Sequence, residues 1–337
     1  MRALLCLVLG ASASVWGGES LAPTNLVSTV RLNLVRPARY FGMCDASAAV
    51  AISPNLFVVA CDEDNVLRLY RADRPGGPVK EFDCNDFLEL RGQSLEADLE
   101  GGARIGNRAF WIGSHGRNII GKERLNRHRF FATDIVVKDG DVNLTPVGKP
   151  CQSLLEDLLA DSRFVQFHLE EAARHTPKER GALNIEGLSA TAEGHLLVGF
   201  RNPIPEGKAL IIPLLNPNEV VEGSRARFGS AILLDLGGLG VRDIAWYEGT
   251  YVIIAGSYHG GRHFRLYRWA GPGTKPVPLR VGHLNDYHPE ALVIYPDRGL
   301  REFQVLSDDG TLLVDGCPCK ELKDRSRRAF RSFWISQ

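Results

Sequence analysis

Acidic residues recur at one fixed place in a repeated unit of this sequence. Four copies of the unit align without gaps, a fifth contains three inserted residues, and the copies begin at Ser47, Glu100, Glu186, Asp243 and Glu290. Carboxylates that are gathered in one place can bind a hard cation such as Ca²⁺, which takes about six to eight oxygen ligands. A bound cation can polarise an ester or phosphoester while a carboxylate handles protons. The repeated acid therefore predicts a cation site whose position depends on how the repeats assemble.

Each repeat is typical of an antiparallel hairpin, with an apolar strand, a turn and a second apolar strand. A small residue follows thirteen positions after each of the first four starts, at Ala60, Gly113, Gly199 and Gly256, and we interpret it as leaving room beside the carboxylate. A third strand and usually a fourth follow, and the starts are separated by 53, 86, 57 and 47 residues. Antiparallel strands repeated at this spacing are typical of propeller blades. The sequence predicts an all-β protein, a five-bladed β-propeller, with six blades as the alternative.

Three segments fall outside the repeat. Residues 151–178, in the 86-residue gap, combine good helix formers with helical apolar spacing, and they predict a helical insertion. The runs 26–34 and 328–335 are strand-like but have no blade of their own. Pairing these terminal runs in the last blade would cover its exposed edges, which propellers must protect. We therefore expect the ring to be closed by N- and C-terminal strands.

The first strand of each blade should line the central axis, so that the repeated acids open on one face. A strand period of two places residues two positions earlier on the same side. The predicted metal ligands are thus Asp45, Asp98, Glu100, Glu186, Asp243 and Glu290. Crowded carboxylates repel one another and need compensation. A hard divalent cation, the nearby side chains of Arg117, Arg201 and Arg242, or backbone amides of the next blade could each supply it.

Residues just after the second strands should lie around the same opening of the central channel. The predicted ligand-binding residues are Arg117, Arg201, Asn202, Tyr258 and Asp308, and the candidate catalytic residues are Glu100, Glu186 and His115. Arginine can bind a carboxylate or phosphate through two hydrogen bonds. The predicted function is binding of a small polar or anionic ligand, with Ca²⁺ or another divalent cation. The alternatives are a metal-assisted ester or phosphoester hydrolase and an interaction scaffold in which the acids only lock blades together.

Bulk features restrict the class of protein and its compartment. Residues 1–18 resemble a cleaved secretory signal, with one positive charge, a short apolar run and an Ala-Ser-Ala site, which leaves 19–337 as one propeller domain. We expect a periplasmic or secreted protein, and the six cysteines left after cleavage fit an oxidising compartment. No other segment is apolar enough to span a membrane. Forty basic and forty acidic residues cancel, which predicts no nucleic-acid partner and no general attraction to an anionic membrane.

Several motifs of this chain resemble those of a bacterial family, domain-of-unknown-function family 3616. They lie at residues 44–50, 64–70, 98–101, 111–118, 184–188, 199–203, 234–239 and 306–310, and include Asp98-Leu-Glu-Gly and Asn184-Ile-Glu-Gly-Leu. The resemblance extends from about residue 40 to the C-terminus. The Glu-Gly strand starts are also similar, more distantly, to those of the esterase-like phytase propellers. The resemblance implies a β-propeller, and the phytase similarity implies metal-assisted hydrolysis by fold analogy alone.

Overall fold

A computed structural model of the chain describes residues 31–336, which form mostly β-strands with a few short helices. The predicted signal segment 1–18 and residues 26–30 of the predicted N-terminal strand lie outside the described residues. The all-β prediction is confirmed. Within 31–336 no helix is both long enough and apolar enough to cross a bilayer.

The N-terminal half of the described chain forms two four-stranded antiparallel sheets. Strand β1 (Arg31–Phe41) comes first and belongs to the last sheet. The first sheet contains β2 (Ala48–Ser53), β3 (Leu56–Ala60), β4 (Val66–Arg71) and β5 (Lys80–Asp83) in that order. The second contains β6 (Leu99–Ile105), β7 (Arg108–Gly113), β8 (Phe130–Lys138) and β9 (Asp141–Cys151).

The helical insertion follows β9, as predicted. It contains α1 (Leu154–Ala160) and α2 (Leu169–Ala172), joined by a 3₁₀ segment (Ser162–Phe167). Its apolar face, which includes Leu154, Leu158 and Phe164, packs into the core between the second and third sheets. This packing explains how two such short helices are stable, because the energy comes from burial against the sheets rather than from helix propensity.

The remaining sheets are built from the C-terminal half and β1. The third sheet contains β10 (Asn184–Ala190), β11 (Leu196–Asn202), β12 (Ala209–Leu214) and β13 (Ile232–Leu234), and α3 (Pro217–Val221) lies between its last two strands. Next come β14 (Gly240–Tyr247), β15 (Thr250–Gly256), β16 (Phe264–Trp269) and β17 (Val277–Val281). The chain ends with β18 (Pro289–Val293), β19 (Glu302–Ser307), a short hairpin of β20 (Leu313–Val314) and β21 (Cys317–Pro318), and β22 (Ala329–Ser336).

The terminal strands pair with each other as predicted. Strand β22 lies between β19 and β1, and its pairs with β1 run from Asn33↔Ser336 to Phe41↔Ala329. A short parallel contact between β1 and β17 joins these strands and β14–β17 into one eight-stranded sheet. A disulfide between Cys44 and Cys319 ties the start of the first sheet to the C-terminal segment.

The first strands β2, β6, β10, β14 and β18 contact one another in a closed ring, which gives the molecule a propeller-like arrangement. The repeated small residue serves this crowding, but not by making room beside a carboxylate. A Cβ at Gly199 would lie 2.7 Å from a methyl of Val241, and one at Gly256 would lie 2.9 Å from Cγ of Arg242. Gly199 and Gly256 therefore admit side chains that precede Asp243, which is the acid of the next repeat for Gly199 and of the same repeat for Gly256, and this corrects the sequence interpretation.

Candidate functional site

A cavity of about 650 Å³, here called the mouth, opens where the first strands begin. Each first strand contributes a lining residue at its start or just before it, namely Asp45, Glu100, Asn184, Arg242 and Glu290. Because these residues all lie within two positions of a repeat start, the ring geometry brings them together from positions far apart in sequence.

Carboxylates form a continuous series around the mouth. Glu100, Glu186 and Glu290 can each offer one ligand atom, and these three atoms lie within 4.8 Å of one another. A second group with the same spacing consists of Asp62, Asp98 and Glu100. Burial, followed by repulsion from Glu186, raises the pKa of Glu100 well above its usual range. Burial also raises the pKa of Glu290 to about 8. The floor of the mouth therefore holds carboxyl groups that resist ionisation in the absence of a further cation.

One part of this floor, here called the glutamate–arginine side, consists of Glu186, Glu290, Arg201 and Arg242. All four are at least nine-tenths buried. Arg201 Nη1 lies 2.6 Å from Glu186 Oε1, and Arg242 pairs with both glutamates. Burial works to lower the pKa of Arg242, but Glu186 and Glu290 outweigh it and raise that pKa. Arg242 is thus a permanent internal cation placed between two carboxylates from neighbouring sheets.

The arginines do not satisfy every carboxylate oxygen on this side. Oε2 of Glu186 and Oε2 of Glu290 are buried and have no hydrogen-bond partner among the described residues. Arg242 Nε lies 3.2 Å from Glu186 Oε2, yet it is not aligned for a hydrogen bond. A buried carboxylate oxygen without a partner is costly, so these two atoms indicate room for another cation or donor.

The aspartate side of the mouth consists of Asp45, Asp62 and Asp308, which face one another without an arginine partner among residues 31–336. Burial, then repulsion from Asp62 and Asp308, raises the pKa of Asp45 to about 10. Burial would raise the pKa of Asp308 too, but hydrogen bonds from Asp45 and from the Gly310 amide lower it. The protonated Asp45 carboxyl therefore donates to the ionised Asp308.

The aspartate side is enclosed by the segment that follows β19. A Cβ on Gly310 would overlap Oδ1 of Asp45, so only glycine allows the backbone to pack on this carboxylate. Lys320, next to the disulfide residue Cys319, lines the mouth and bonds Glu63 at 2.6 Å. Its ammonium supplies part of the compensation that this side lacks internally.

Asp98 is compensated by a residue that the sequence interpretation missed. Nη1 of Arg127 lies 2.9 Å from Asp98 Oδ2, and Ser114 donates a hydrogen bond to the same oxygen. Burial still dominates and raises the pKa of Asp98 to about 7. Arg127 and Lys320 both come from irregular segments outside the repeat, where strand periodicity carries no signal.

Asp243 departs from the other repeated acids. Its Oδ1 accepts the N–H of Ile244 at 2.8 Å, and its Oδ2 accepts the N–H of Leu292 at 2.6 Å. Its Oδ2 thus joins β14 to β18 while its Oδ1 is used within β14, and Asp243 does not line the mouth. We correct its assignment from metal ligand to a link between two first strands, which is the backbone-amide alternative raised for the whole ring.

His115 is not a rim residue. Its side chain is buried, its Nδ1 lies 2.8 Å from the carbonyl oxygen of Gly113, and its ring stacks on His128 with centroids 5.3 Å apart. A positive φ of 57° turns it away from the strand path and towards an apolar gap that Leu154 and Phe200 also line. Burial, then repulsion from His128, lowers its pKa to about 3. The prediction of His115 as a catalytic residue at the mouth is therefore wrong.

The predicted ligand-binding residues divide into two groups. Arg201 and Asp308 line the mouth. Arg117 instead binds the carbonyls of Ala173 and Gly121, at 2.9 and 3.0 Å. We therefore correct Arg117 to a residue that fixes a loop to the helical insertion.

Two further candidates face away from the mouth. Asn202 donates to the carbonyls of Pro177 and Glu179, at 3.1 and 2.6 Å, and Tyr258 lines a second cavity with it. Adjacent residues on a strand point to opposite faces, which explains why Arg201 reaches the mouth and Asn202 does not.

Comparisons with known proteins identify a family but no activity. The sequence matches the family described as "Protein of unknown function (DUF3616)" over residues 45–129 and 143–278. No curated protein matches it.

The solved structures that it is similar to share little sequence with it. Glutaminyl cyclase from Myxococcus xanthus is 10% identical with a TM-score of 0.47, and the match covers 91% of this chain and 99% of that chain. The PQQ-bound aldose sugar dehydrogenase from Streptomyces coelicolor is 10% identical with a TM-score of 0.40, covering 89% and 99%. A streptogramin B lyase is 9% identical with a TM-score of 0.37, covering 90% and 98%. Likeness at this level carries no argument about chemistry.

Proposed function

Because this chain belongs to DUF3616, a family of unknown function, we propose its function from the mouth itself. The mouth binds a hard divalent cation, and the bound cation helps to hold a small polar or anionic ligand. The observation that carries this proposal is the pair of buried oxygens without partners, Glu186 Oε2 and Glu290 Oε2, beside the carboxylate of Glu100.

The donor set fits calcium. Only carboxylate oxygens are offered by Glu100, Glu186 and Glu290, and hard cations prefer oxygen ligands. Two oxygens bound to the same Ca²⁺ at about 2.4 Å can be at most about 4.8 Å apart, whereas Mg²⁺ requires a tighter set. The atoms of this group lie within 4.8 Å of one another, which Ca²⁺ allows, and Ca²⁺ accepts irregular oxygen geometry more readily than Mg²⁺ does.

The ligand site is proposed to lie directly above the cation. Arg201 lines the mouth and uses Nη1 on Glu186 and Nε on the carbonyl of Ser257. Asp308, lining the opposite side, offers a carboxylate that is already ionised. A polar ligand with an anionic group would complete the coordination of the cation while its other polar atoms contact these side chains.

Two further proposals concern architecture and compartment. We propose that the strands form five blades, the last of which combines β18, β19, β22 and β1; a sixth, degenerate blade is the alternative. We also propose that the protein is secreted or periplasmic, which the Cys44–Cys319 disulfide supports because such bonds persist in oxidising compartments.

Hydrolysis is the weaker alternative for the mouth. It needs a group that moves protons beside the cation. His115 lines a separate apolar gap, which leaves Glu100 and Glu186 for this role, and these two are already proposed as cation ligands. The scaffold alternative is supported for Asp243 alone, whose oxygens bind backbone amides.

The test is isothermal titration of Ca²⁺ into chelator-treated protein. We expect one ion to bind, and we expect Glu100→Gln and Glu290→Gln to weaken its affinity at least about tenfold, because each removes a charged ligand. Asp243→Asn is the matched control: it changes a repeated acid outside the mouth, and it should lower thermal stability without changing the affinity. Absence of both binding heat and thermal stabilisation at millimolar Ca²⁺ would overturn the proposal.

A further inference from the structure

Two adjacent isoleucines project into solvent at the edge of the mouth. Ile119 and Ile120, in the loop after β7, are 77% and 80% exposed. Ile119 also lines the mouth cavity. Single exposed apolar residues are common on protein surfaces, but a neighbouring pair at this exposure and beside a cavity indicates an interaction surface.

The turn that carries these isoleucines is held in a defined conformation. Oδ1 of Asn118 accepts the N–H groups of Ile120 and Lys122, at 3.2 and 2.8 Å. The Asn118 N–H in turn donates to the carbonyl of Lys122. Arg117 fastens the loop to the helical insertion through the carbonyl of Ala173. The isoleucines are thus presented by a built turn, and their exposure is a property of the fold.

Three basic residues lie on or beside the turn, which also carries one acid, Glu123, 3.8 Å from Arg117. Arg124 and Lys178 line the same cavity, and Lys122 lies on the turn itself. Within residues 31–336 none of these three side chains forms an ion pair, so their charge is available to a partner. The zero net charge of the whole chain does not oppose this, because attraction at close range depends on local charge.

We propose that residues 117–124 form a membrane-contact loop. Ile119 and Ile120 enter the boundary between headgroups and acyl chains, while Lys122, Arg124 and Lys178 face anionic headgroups. A lipid surface fits better than a protein partner because two isoleucines cover far less than the roughly 800 Å² per partner of a stable protein interface. A bilayer needs only a few inserted apolar side chains together with a few basic residues. Each basic residue near an anionic surface raises the binding constant about fivefold.

Binding of the loop to a membrane should depend on Ca²⁺ at the mouth, and this dependence rests on the proposed function. Without a cation, a carboxylate of the mouth that stays ionised, such as that of Asp308, would repel anionic headgroups. A bound Ca²⁺ removes that repulsion and can accept a headgroup oxygen as a ligand. Vesicle binding should therefore be tighter with Ca²⁺ than with chelator.

The experiment is co-sedimentation of the whole protein with phosphatidylcholine vesicles, with or without phosphatidylglycerol, in Ca²⁺ or in chelator. We expect binding to the anionic vesicles and expect the double change Ile119→Ser, Ile120→Ser to weaken it at least about tenfold. The matched control is Val136→Ser, Val137→Ser, which alters another adjacent pair of exposed apolar residues, at 45% and 61% exposure, on β8. The control should bind as the unchanged protein does.

The possible failures are distinguishable. Equal binding by the isoleucine variant and the unchanged protein overturns the loop contact, as does equal loss in the valine control. A change of oligomeric state on size-exclusion chromatography without a change in vesicle binding also overturns it, in favour of a protein interface. If the isoleucines matter but Ca²⁺ does not, the loop contact stands and the link to the cation fails. Calorimetry of Ca²⁺ alone then decides whether the proposed function has failed with it.

Discussion

The glutamate–arginine side and the aspartate side of the mouth carry the same kind of charge but balance it differently. On the first, the guanidinium of Arg242 is placed between two buried carboxylates. On the second, a proton held by Asp45 and shared with Asp308 performs the same task. A buried carboxylate can thus be tolerated through a permanent cation or through protonation. The second solution relies on a bound proton, whereas the first relies mainly on one guanidinium, and carboxyl groups on both sides have raised pKa values.

The largest expected effect comes from removing the permanent cation. Arg242→Met should lower the free energy of unfolding by about 3–5 kcal/mol, because it leaves Glu186 and Glu290 buried without their shared partner. Added Ca²⁺ should restore part of the loss. Urea denaturation with and without Ca²⁺ measures both effects. In the control Arg71→Met, which breaks an exposed pair with Asp73, the change should stay within about 1 kcal/mol. Equal stability of the two variants would contradict the role of Arg242.

The next effect is the dependence of stability on pH in the absence of a cation. Glu290, with a pKa of about 8, and Asp98, with a pKa of about 7, bind protons more tightly in the folded protein than in the unfolded chain, where carboxyl pKa values are about 4. The folded state therefore holds more protons, and stability should fall as pH rises from about 4 to about 8. We expect the melting temperature in chelator to drop by about 5 °C or more over this window.

Calcium should reduce the loss of stability at high pH. A cation bound at the mouth stabilises the carboxylates that become ionised as the pH rises. Differential scanning calorimetry at matched pH values, with chelator or with Ca²⁺, tests the claim. A melting temperature that rises with pH in chelator would show that the carboxyl groups are better compensated than their burial implies.

A smaller effect is expected from crowding the aspartate side. Gly310→Ala should cost about 1–3 kcal/mol, because its new methyl group would overlap the Asp45 carboxylate and force a shift. Gly76→Ala is the control, since a Cβ there would meet nothing within 4 Å. Chemical denaturation of the two variants gives the comparison, and an equal cost at both positions would argue against tight packing on Asp45.

The smallest effect should come from Asp45→Asn. The Asp45 carboxyl already carries a proton, so an amide of the same shape can donate to Asp308 in its place, and the free energy of unfolding should change by less than about 1 kcal/mol. Asp308→Asn should cost more, about 1.5–3 kcal/mol, because it removes the ionised acceptor. Denaturation at pH 7 measures both variants, and the reverse order would mean that the proton resides on Asp308.

The repeat predicts the ring because its period fixes where each first strand begins. Glu100 and Glu290 meet at the mouth for that reason. The same reasoning fails for Asp243, whose shorter side chain folds back onto the N–H of Ile244. Sequence position alone could not separate these cases, since the difference depends on whether a carboxylate reaches a nearby amide before it reaches the cavity.

Residues beyond the strand ends were predicted less well. His115 adopts a positive φ, so the strand alternation that located it no longer applied. Arg127 and Lys320 enter the mouth from loops, where no period relates sequence to direction. The exposed turn at Ile119 has no apolar period either, and its exposure depends on hydrogen bonds that only coordinates reveal.

The pairing of β1 with β22 affects how the protein folds while it is being synthesised. Asn33 pairs with Ser336, and a disulfide links Cys44 to Cys319, which are 275 residues apart in the sequence. The ring cannot close until its last strand has left the ribosome. At about 5–20 residues per second, the first sheet waits roughly ten to fifty seconds after its own synthesis. During that interval its edges can pair with other chains, so the hazard of aggregation belongs to the nascent protein more than to the finished ring.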